Sequence, residues 1–142
     1  VKVKMTRNDD DRLAESQIED LKARVSIMNK EKPDLVVSIH QNSYHEETVR
    51  GAQVFYYTDS AQSERAAELI QAAFREADPG NTKKAKGNST YYILKKTEVP
   101  VVIAECGFLS NREEAVKLAD EEYQQEMAEA AAKGVMRYLE GE

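Results

Sequence analysis

The sequence predicts an α/β fold: a mostly parallel or mixed twisted sheet with helices on both faces, three layers deep. Three observations predict it. Strand-like and helix-like segments alternate along the chain. Two segments, Leu35-Val36-Val37-Ser38-Ile39 and Val99 to Ala104, are near-continuous apolar runs rich in β-branched residues, which suits central strands covered on both faces. Both runs then end abruptly on polar chemistry, at His40 and at Glu105. In open sheets of this kind, sites form beyond the carboxyl ends of the strands.

Each element has its own signal. Val1-Lys2-Val3-Lys4-Met5 alternates apolar and polar and predicts a half-buried strand, followed by a polar, acidic loop from Thr6 to Asp11. Ile18, Leu21, Val25 and Met28 recur at helical spacing, so residues 14 to 31 read as an amphipathic helix closed by Pro33. After the first apolar run comes a polar loop over residues 40 to 50. Gly51 opens a less apolar strand, Ala52 to Tyr57, suited to a sheet edge. Ala66, Leu69, Ile70, Ala73, Phe74 and Ala77 mark a helix over 61 to 77, broken by Asp78-Pro79-Gly80-Asn81. A basic loop with Lys83, Lys84 and Lys86 precedes a short predicted strand at Tyr91 to Leu94. Beyond the second run, Asn111 caps a short helix over 111 to 119. A last helix over 121 to 139 has its core stripe at Tyr123, Met127, Ala130, Ala131, Gly134 and Tyr138.

Composition narrows the class. The 142 residues suit one domain, and 41% hydrophobic with 32% charged residues can build a globular core. A net charge of -6 argues against nucleic acid or an anionic membrane as the main partner. The single cysteine, Cys106, excludes an intrachain disulfide and leaves the redox compartment open. No apolar run is long enough to span a bilayer, no signal peptide is visible, and there are no internal repeats.

Two residues invite chemistry. His40 reads as a metal ligand or general base, or as a histidine that caps a strand. Asn42 shares its side if strand geometry continues, and Gln41 points the other way. Glu105 follows Val101-Val102-Ile103-Ala104. A carboxylate there is desolvated, paired, or at an exit from the core. It reads as a general acid or base with a raised pKa, or as a structural glutamate paired with Arg24 or Lys86. A Cys106–His40 nucleophile pair is opposed by alternation, which sends Glu105 and Cys106 to opposite faces. Ser110 lacks the G-x-S-x-G turn. His45 reads as a solvated loop residue, a second ligand or a substrate contact. Gly80 to Ser89 fails the phosphate-loop spacing, so its lysines form a solvated face or a rim that meets an anionic polymer. Asn88-Ser89-Thr90 matches a glycosylation sequon. Asp20, Arg24 and Asn29 lie on the polar side of the first helix.

Together, "DLVVSIHQNS" and "VPVVIAECGFLSN" resemble the third family of N-acetylmuramoyl-L-alanine amidases, zinc hydrolases of bacterial peptidoglycan. "MTRNDD", "DLKARVSIMNK", "GAQVFYY", "KAKGNSTYYILKKTEVP" and "EEYQQEMAEAAAKGVMRYL" fall in the family's order, so the resemblance covers essentially the whole chain. "GAQVFYY" and "KAKGNSTYYILKKT" are most similar to the spore-cortex branch. The resemblance implies a phosphorylase/hydrolase-like three-layer fold, with His40 as a zinc ligand and Glu105 as the catalytic glutamate. Zinc with an open coordination position lowers the pKa of bound water and polarises the scissile carbonyl. Glu105 would take the proton and pass it to the leaving amine. Asn42 would orient substrate or support His40, and Arg24 and Lys86 stand as further substrate-binding or supporting candidates. The bond cut would join the lactyl group of muramic acid to L-alanine of the stem peptide. Peptidoglycan is the implied partner, with an activating protein beside it, and the implied location is outside the cytoplasmic membrane.

One departure matters. The family's pattern opens with a Gly-His-Gly-Gly-type turn and a helix begun by glutamate, which carry the other two zinc ligands; this sequence has neither. The resemblance therefore implies a single catalytic domain over 1–142 that lacks the family's N-terminal strand and helix, holds zinc poorly and is inactive alone. The other readings are a non-catalytic peptidoglycan-binding or regulatory relative, and an unrelated Cys–His hydrolase.

Overall fold

The computed structural model describes residues 1–142. The elements follow as α1 (Gln17–Glu31), β1 (Val36–Asn42), β2 (Gln53–Tyr57), α2 (Ala61–Ala77), β3 (Lys86–Asn88), α3 (Tyr92–Lys96), β4 (Val101–Phe108), α4 (Arg112–Leu118) and α5 (Glu121–Leu139). The strands form one sheet in the order β1-β4-β2-β3. β1 is parallel to β4 and β2 to β3, but β2 and β4 are antiparallel, so the sheet is mixed.

β4 makes the molecule three layers deep. Successive side chains of a strand point to opposite faces. Val102 and Ala104 pack with Ile70 and Phe74 of α2 and with Met127 and Ala130 of α5. Val101 and Ile103 pack on the other side with Val25 and Met28 of α1 and with Ile93 and Leu94 of α3. Each large side chain buried in this way stabilises the fold by about 1.5–3 kcal/mol. β1 lies at the edge. Its Leu35–Ile39 run is only partly covered, and Ile39 is 60% exposed.

Local chemistry sets the boundaries. Ser16, Ser60 and Asn111 accept the backbone N–H of Glu19, Ser63 and Glu114, which starts α1, α2 and α4. α2 and α5 meet backbone to backbone at Gly134, where an added Cβ would stand 2.5 Å from Ile70 Cα. β3 is too short to pair with the start of β2, and the buried Gln71 side chain fills that gap. Its Oε1 accepts from Val54 N–H at 2.8 Å, and its Nε2 donates to Ala52 C=O at 2.9 Å.

Six expectations are corrected. The Leu35–Ile39 run, read as a central strand, lies at the sheet edge as β1, and Ala52–Tyr57, read as suited to an edge, lies inside the sheet as β2, between β4 and β3, because β3 adds a ladder beside it. Val1 to Met5 forms no strand. Val1, Val3 and Met5 are 82%, 76% and 63% exposed, because alternation marks two faces but a strand exists only where a ladder partner lies beside it. α1 begins at Gln17, where Ser16 caps it, and Ile18 is left outside its buried stripe at 65% exposed. Tyr91 to Leu94 is not a strand. Asn88 Oδ1 accepts the N–H groups of Thr90 and Tyr91, both at 2.8 Å, and this turns the chain into α3. Lys86–Asn88, read as loop, pairs with Phe55–Tyr57 as β3.

Candidate active site

His40 and Glu105 are Cα partners on the neighbouring parallel strands β1 and β4, and Glu105 also pairs with Gln53 of β2. Partners in register share a face, so the three side chains form one row across the sheet, on the side covered by α1 and α3. Both strands run beyond the expected ends, so His40 and Glu105 stand within the ladder. Just past them the register slips. Asn42 faces Phe108, and Cys106 and Gly107 bulge opposite Gln41. Such bulges re-aim side chains and end pairing.

The electrostatics separate the two groups. His40 is part-buried, and its Nε2 lies 2.8 Å from Ser38 Oγ, two residues back on the same strand face. Burial, and then the nearby Arg24 charge, push its pKa below the ordinary value, so the imidazole is neutral at neutral pH with its other nitrogen free of Ser38. Glu105 is 8% exposed, and its Oε2 has no hydrogen-bond partner. Burial pushes its pKa up. A neutral imidazole in register with a carboxyl group of raised pKa is equipped for acid–base chemistry.

The proposed partners of Glu105 are engaged elsewhere. Arg24 pairs with Asp20 at 2.9 Å, and Asp20, held below the usual carboxylate range by the Leu13 N–H and by Arg24, is itself buried. Lys86 is exposed on β3, two strands away, level with Phe55 and Ile103. Lys83 and Lys84 come nearer. Gln53 Nε2 donates to Lys84 C=O at 2.9 Å, and Lys83 Nζ lies 5.5 Å from the Phe108 ring centre. Asn42 does not bond to His40; its Oδ1 accepts Ser43 N–H at 2.8 Å, and its carbonyl accepts Leu109 N–H at 2.8 Å. The imidazole's partner, Ser38, was missed from sequence, although its i, i+2 spacing from His40 was there to read.

Cys106 is part-buried, and burial together with the Glu105 charge pushes its thiol up to about 11. A thiol so rarely ionised is a poor nucleophile. Cys106→Ala is therefore expected to keep wild-type turnover of any substrate. A loss of a hundredfold or more, in protein shown by circular dichroism to be folded, would return the Cys–His reading.

A catalytic zinc takes as a rule three protein ligands. His40 has the neutral imidazole that a ligand needs, but nowhere do three or more His, Cys, Asp or Glu side chains come together as a metal site. The residues of this chain do not by themselves complete a zinc centre.

The fold and the site define a class: a three-layer α/β protein with an imidazole and an unpartnered carboxylate in register near the carboxyl ends of two parallel strands. The chain belongs to the N-acetylmuramoyl-L-alanine amidase family, whose sequence profile matches residues 1–137. It is 36% identical to the germination-specific N-acetylmuramoyl-L-alanine amidase of Bacillus subtilis, over 95% of this chain and 60% of that protein. The CwlD amidase of Clostridioides difficile, solved in complex with the GerS lipoprotein, is 34% identical and superposes with a TM-score of 0.91 over 96% of this chain and 75% of that one. The catalytic domain of CwlV from Bacillus (Paenibacillus) polymyxa is 31% identical, with a TM-score of 0.83 over 99% of this chain and 74% of that one. The chain thus spans 60% of the length of its germination-specific relative. No helix is long and apolar enough to cross a membrane.

Proposed function

We propose that this chain acts in the hydrolysis of the amide between the lactyl group of N-acetylmuramic acid and L-alanine of the peptidoglycan stem peptide. One observation carries the reading: Glu105, buried and with an unpartnered oxygen, stands in register with His40. Glu105 takes a proton from the attacking water and hands it to the departing alanine nitrogen. Burial raises its pKa, which strengthens the carboxylate as the proton acceptor of that task. Residues 1–142 belong to one catalytic domain, whose zinc ligands they do not complete by themselves. The setting is extracytoplasmic: the cell wall, the periplasm or the space between the membranes of a developing spore. An activating protein partner fits the lipoprotein complex of the Clostridioides relative. The test is digestion of defined muropeptides by the zinc-supplemented protein, with products read by mass spectrometry. The expected products are a lactyl carboxylate and a peptide with a free N-terminal alanine. Cleavage at any other bond overturns the proposal.

Zinc is the proposed cofactor, with His40 as one of its ligands. Because no set of three ligands comes together, these 142 residues are expected to bind zinc weakly and to turn over little substrate without further donors. Chelator competition measures this directly, and tight one-to-one zinc with full turnover by these residues alone would refute it. The same ligand count favours a second reading, a peptidoglycan-binding relative that does not cleave. Muropeptide binding by the zinc-supplemented whole protein, without products, would select it.

A further inference from the structure

His40 and Glu105 are each followed, four residues on, by an exposed apolar side chain: Tyr44, 48% exposed, and Leu109, 50% exposed. Neither sits on a loose loop. Leu109 N–H donates to Asn42 C=O at 2.8 Å, Tyr44 N–H to Ser110 Oγ at 2.9 Å, and Asn111 Nδ2 to Glu47 C=O at 3.0 Å. These three bonds clamp the loop after β1 to the turn after β4. The clamp explains the serine and asparagine of "GFLSN" without making either a nucleophile. Beyond Tyr44, the His45 ring lies 4.1 Å from the Tyr44 ring, centre to centre. The result is an aromatic and aliphatic rim, on a backbone held at three points, kept in water past His40 and Glu105 at the ends of β1 and β4. Exposed apolar groups held in this way mark binding surfaces, and a backbone fixed beforehand lowers the entropy lost on binding.

We propose that this rim binds the pyranose ring of the muramyl sugar, with the Tyr44–His45 pair against its C–H face and Leu109 closing the side. The inference rests on the amidase reading. In that substrate the scissile carbonyl is joined to the sugar through one carbon and one ether oxygen, so wherever Glu105 meets the carbonyl, a pyranose must lie within a side chain's reach. Aromatic faces carry negative charge density and attract polarised C–H groups. A sugar is thus the part of the substrate that an exposed tyrosine and histidine pair suits best. Ser110 is then a positioning residue that acts through Tyr44.

The test uses the whole zinc-loaded protein and two substrates: a disaccharide tetrapeptide, and a lactyl tetrapeptide without sugar. Tyr44→Ala is expected to lower the preference for the sugar-bearing substrate, read as the ratio of kcat/KM values, about tenfold through KM. Tyr44→Phe restores the preference, and Ser110→Ala lowers it in part. Equal losses on both substrates, or no change in the ratio, would overturn the proposal. Binding of the uncleavable free disaccharide, followed by NMR titration, separates the two ideas. Disaccharide binding that Tyr44→Ala abolishes supports the rim even in a protein that cleaves nothing, in which case the amidase reading fails alone. A wild-type protein that cleaves the muropeptide but prefers neither substrate retains the amidase reading and loses the rim.

Discussion

Glu105→Gln is expected to cut amide hydrolysis about 100- to 10,000-fold while making the metal-free protein more stable. The two effects share one cause. A carboxylate 8% exposed with an oxygen lacking any partner is held in the fold at a cost, and that cost supplies its raised pKa. Glutamine keeps the shape and removes the charge. Relief of about 1 kcal/mol is expected, a Tm increase of roughly 3–4 °C in a chain of this size. The pH dependence gives the sign. The folded pKa of Glu105 lies above its unfolded value, so the folded state binds the proton more tightly. Stability linked to Glu105 is full in acid and is lost as pH rises from the ordinary carboxylate range through the raised folded value. The gap in Tm between variant and wild type should therefore widen from acid to neutral pH. His40 works in the opposite sense. Its folded pKa is lowered, so its contribution is full above the ordinary 6.5 and is lost as pH falls below it. Parallel Tm curves for Glu105→Gln and wild type across this range would mean that the carboxylate is not desolvated.

The largest loss of stability is expected from Gly134→Ala. Helix propensity alone favours the change by about 1 kcal/mol. Packing reverses it. The new methyl would stand 2.5 Å from Ile70 Cα, 2.9 Å from its nitrogen and 2.8 Å from its Cγ1. Two of those atoms are backbone, so relief requires α5 to lift off α2. Ile70 and Phe74, both 0% exposed, would then lose close contacts along with Met127, Ala130 and Tyr138. A net loss of about 3 kcal/mol or more is expected, roughly 10 °C in Tm. Ala132→Gly, at an exposed position of the same helix, should cost only about 1 kcal/mol. Urea titration of both variants checks the contrast. If Gly134→Ala proved as stable as wild type, the close approach of α2 and α5 would be wrong.

These two positions mark what was legible in the sequence. Val101 to Ala104 is buried on both faces, and burial on both faces leaves its mark as an unbroken apolar run. Gly134 was legible as a core position, though not the contact that requires it to be glycine. His40 and Glu105 could be singled out because a polar residue closing such a run needs a reason. That they pair in register could not, since strand order and direction depend on the whole sheet. The same limit hid the antiparallel pairing of β2 with β4. β3 consists of Lys86-Gly87-Asn88, with no β-branched or aromatic residue, and exists because β2 offers a ladder. Val1 to Met5 is the converse case, a strand-like pattern with no ladder beside it. The partners of Arg24 were equally hidden, because a salt bridge four residues along its own helix competed with every distant carboxylate.

The edge position of β1 bears on how the site forms and fails. His40 and Glu105 are sixty-five residues apart in the chain, and only the β1–β4 ladder brings them into register. Such long loop closures come late in folding, after the local helices have formed. β1 hydrogen-bonds to one neighbour only, and the sixteen residues ahead of α1 contain no helix or strand. The α1–β1 segment is therefore a unit that partial opening can release while β2, β4, α2 and α5 remain packed. Half of the proton-transfer pair rides on that unit, so warming should silence the chemistry at temperatures where most of the core is still intact.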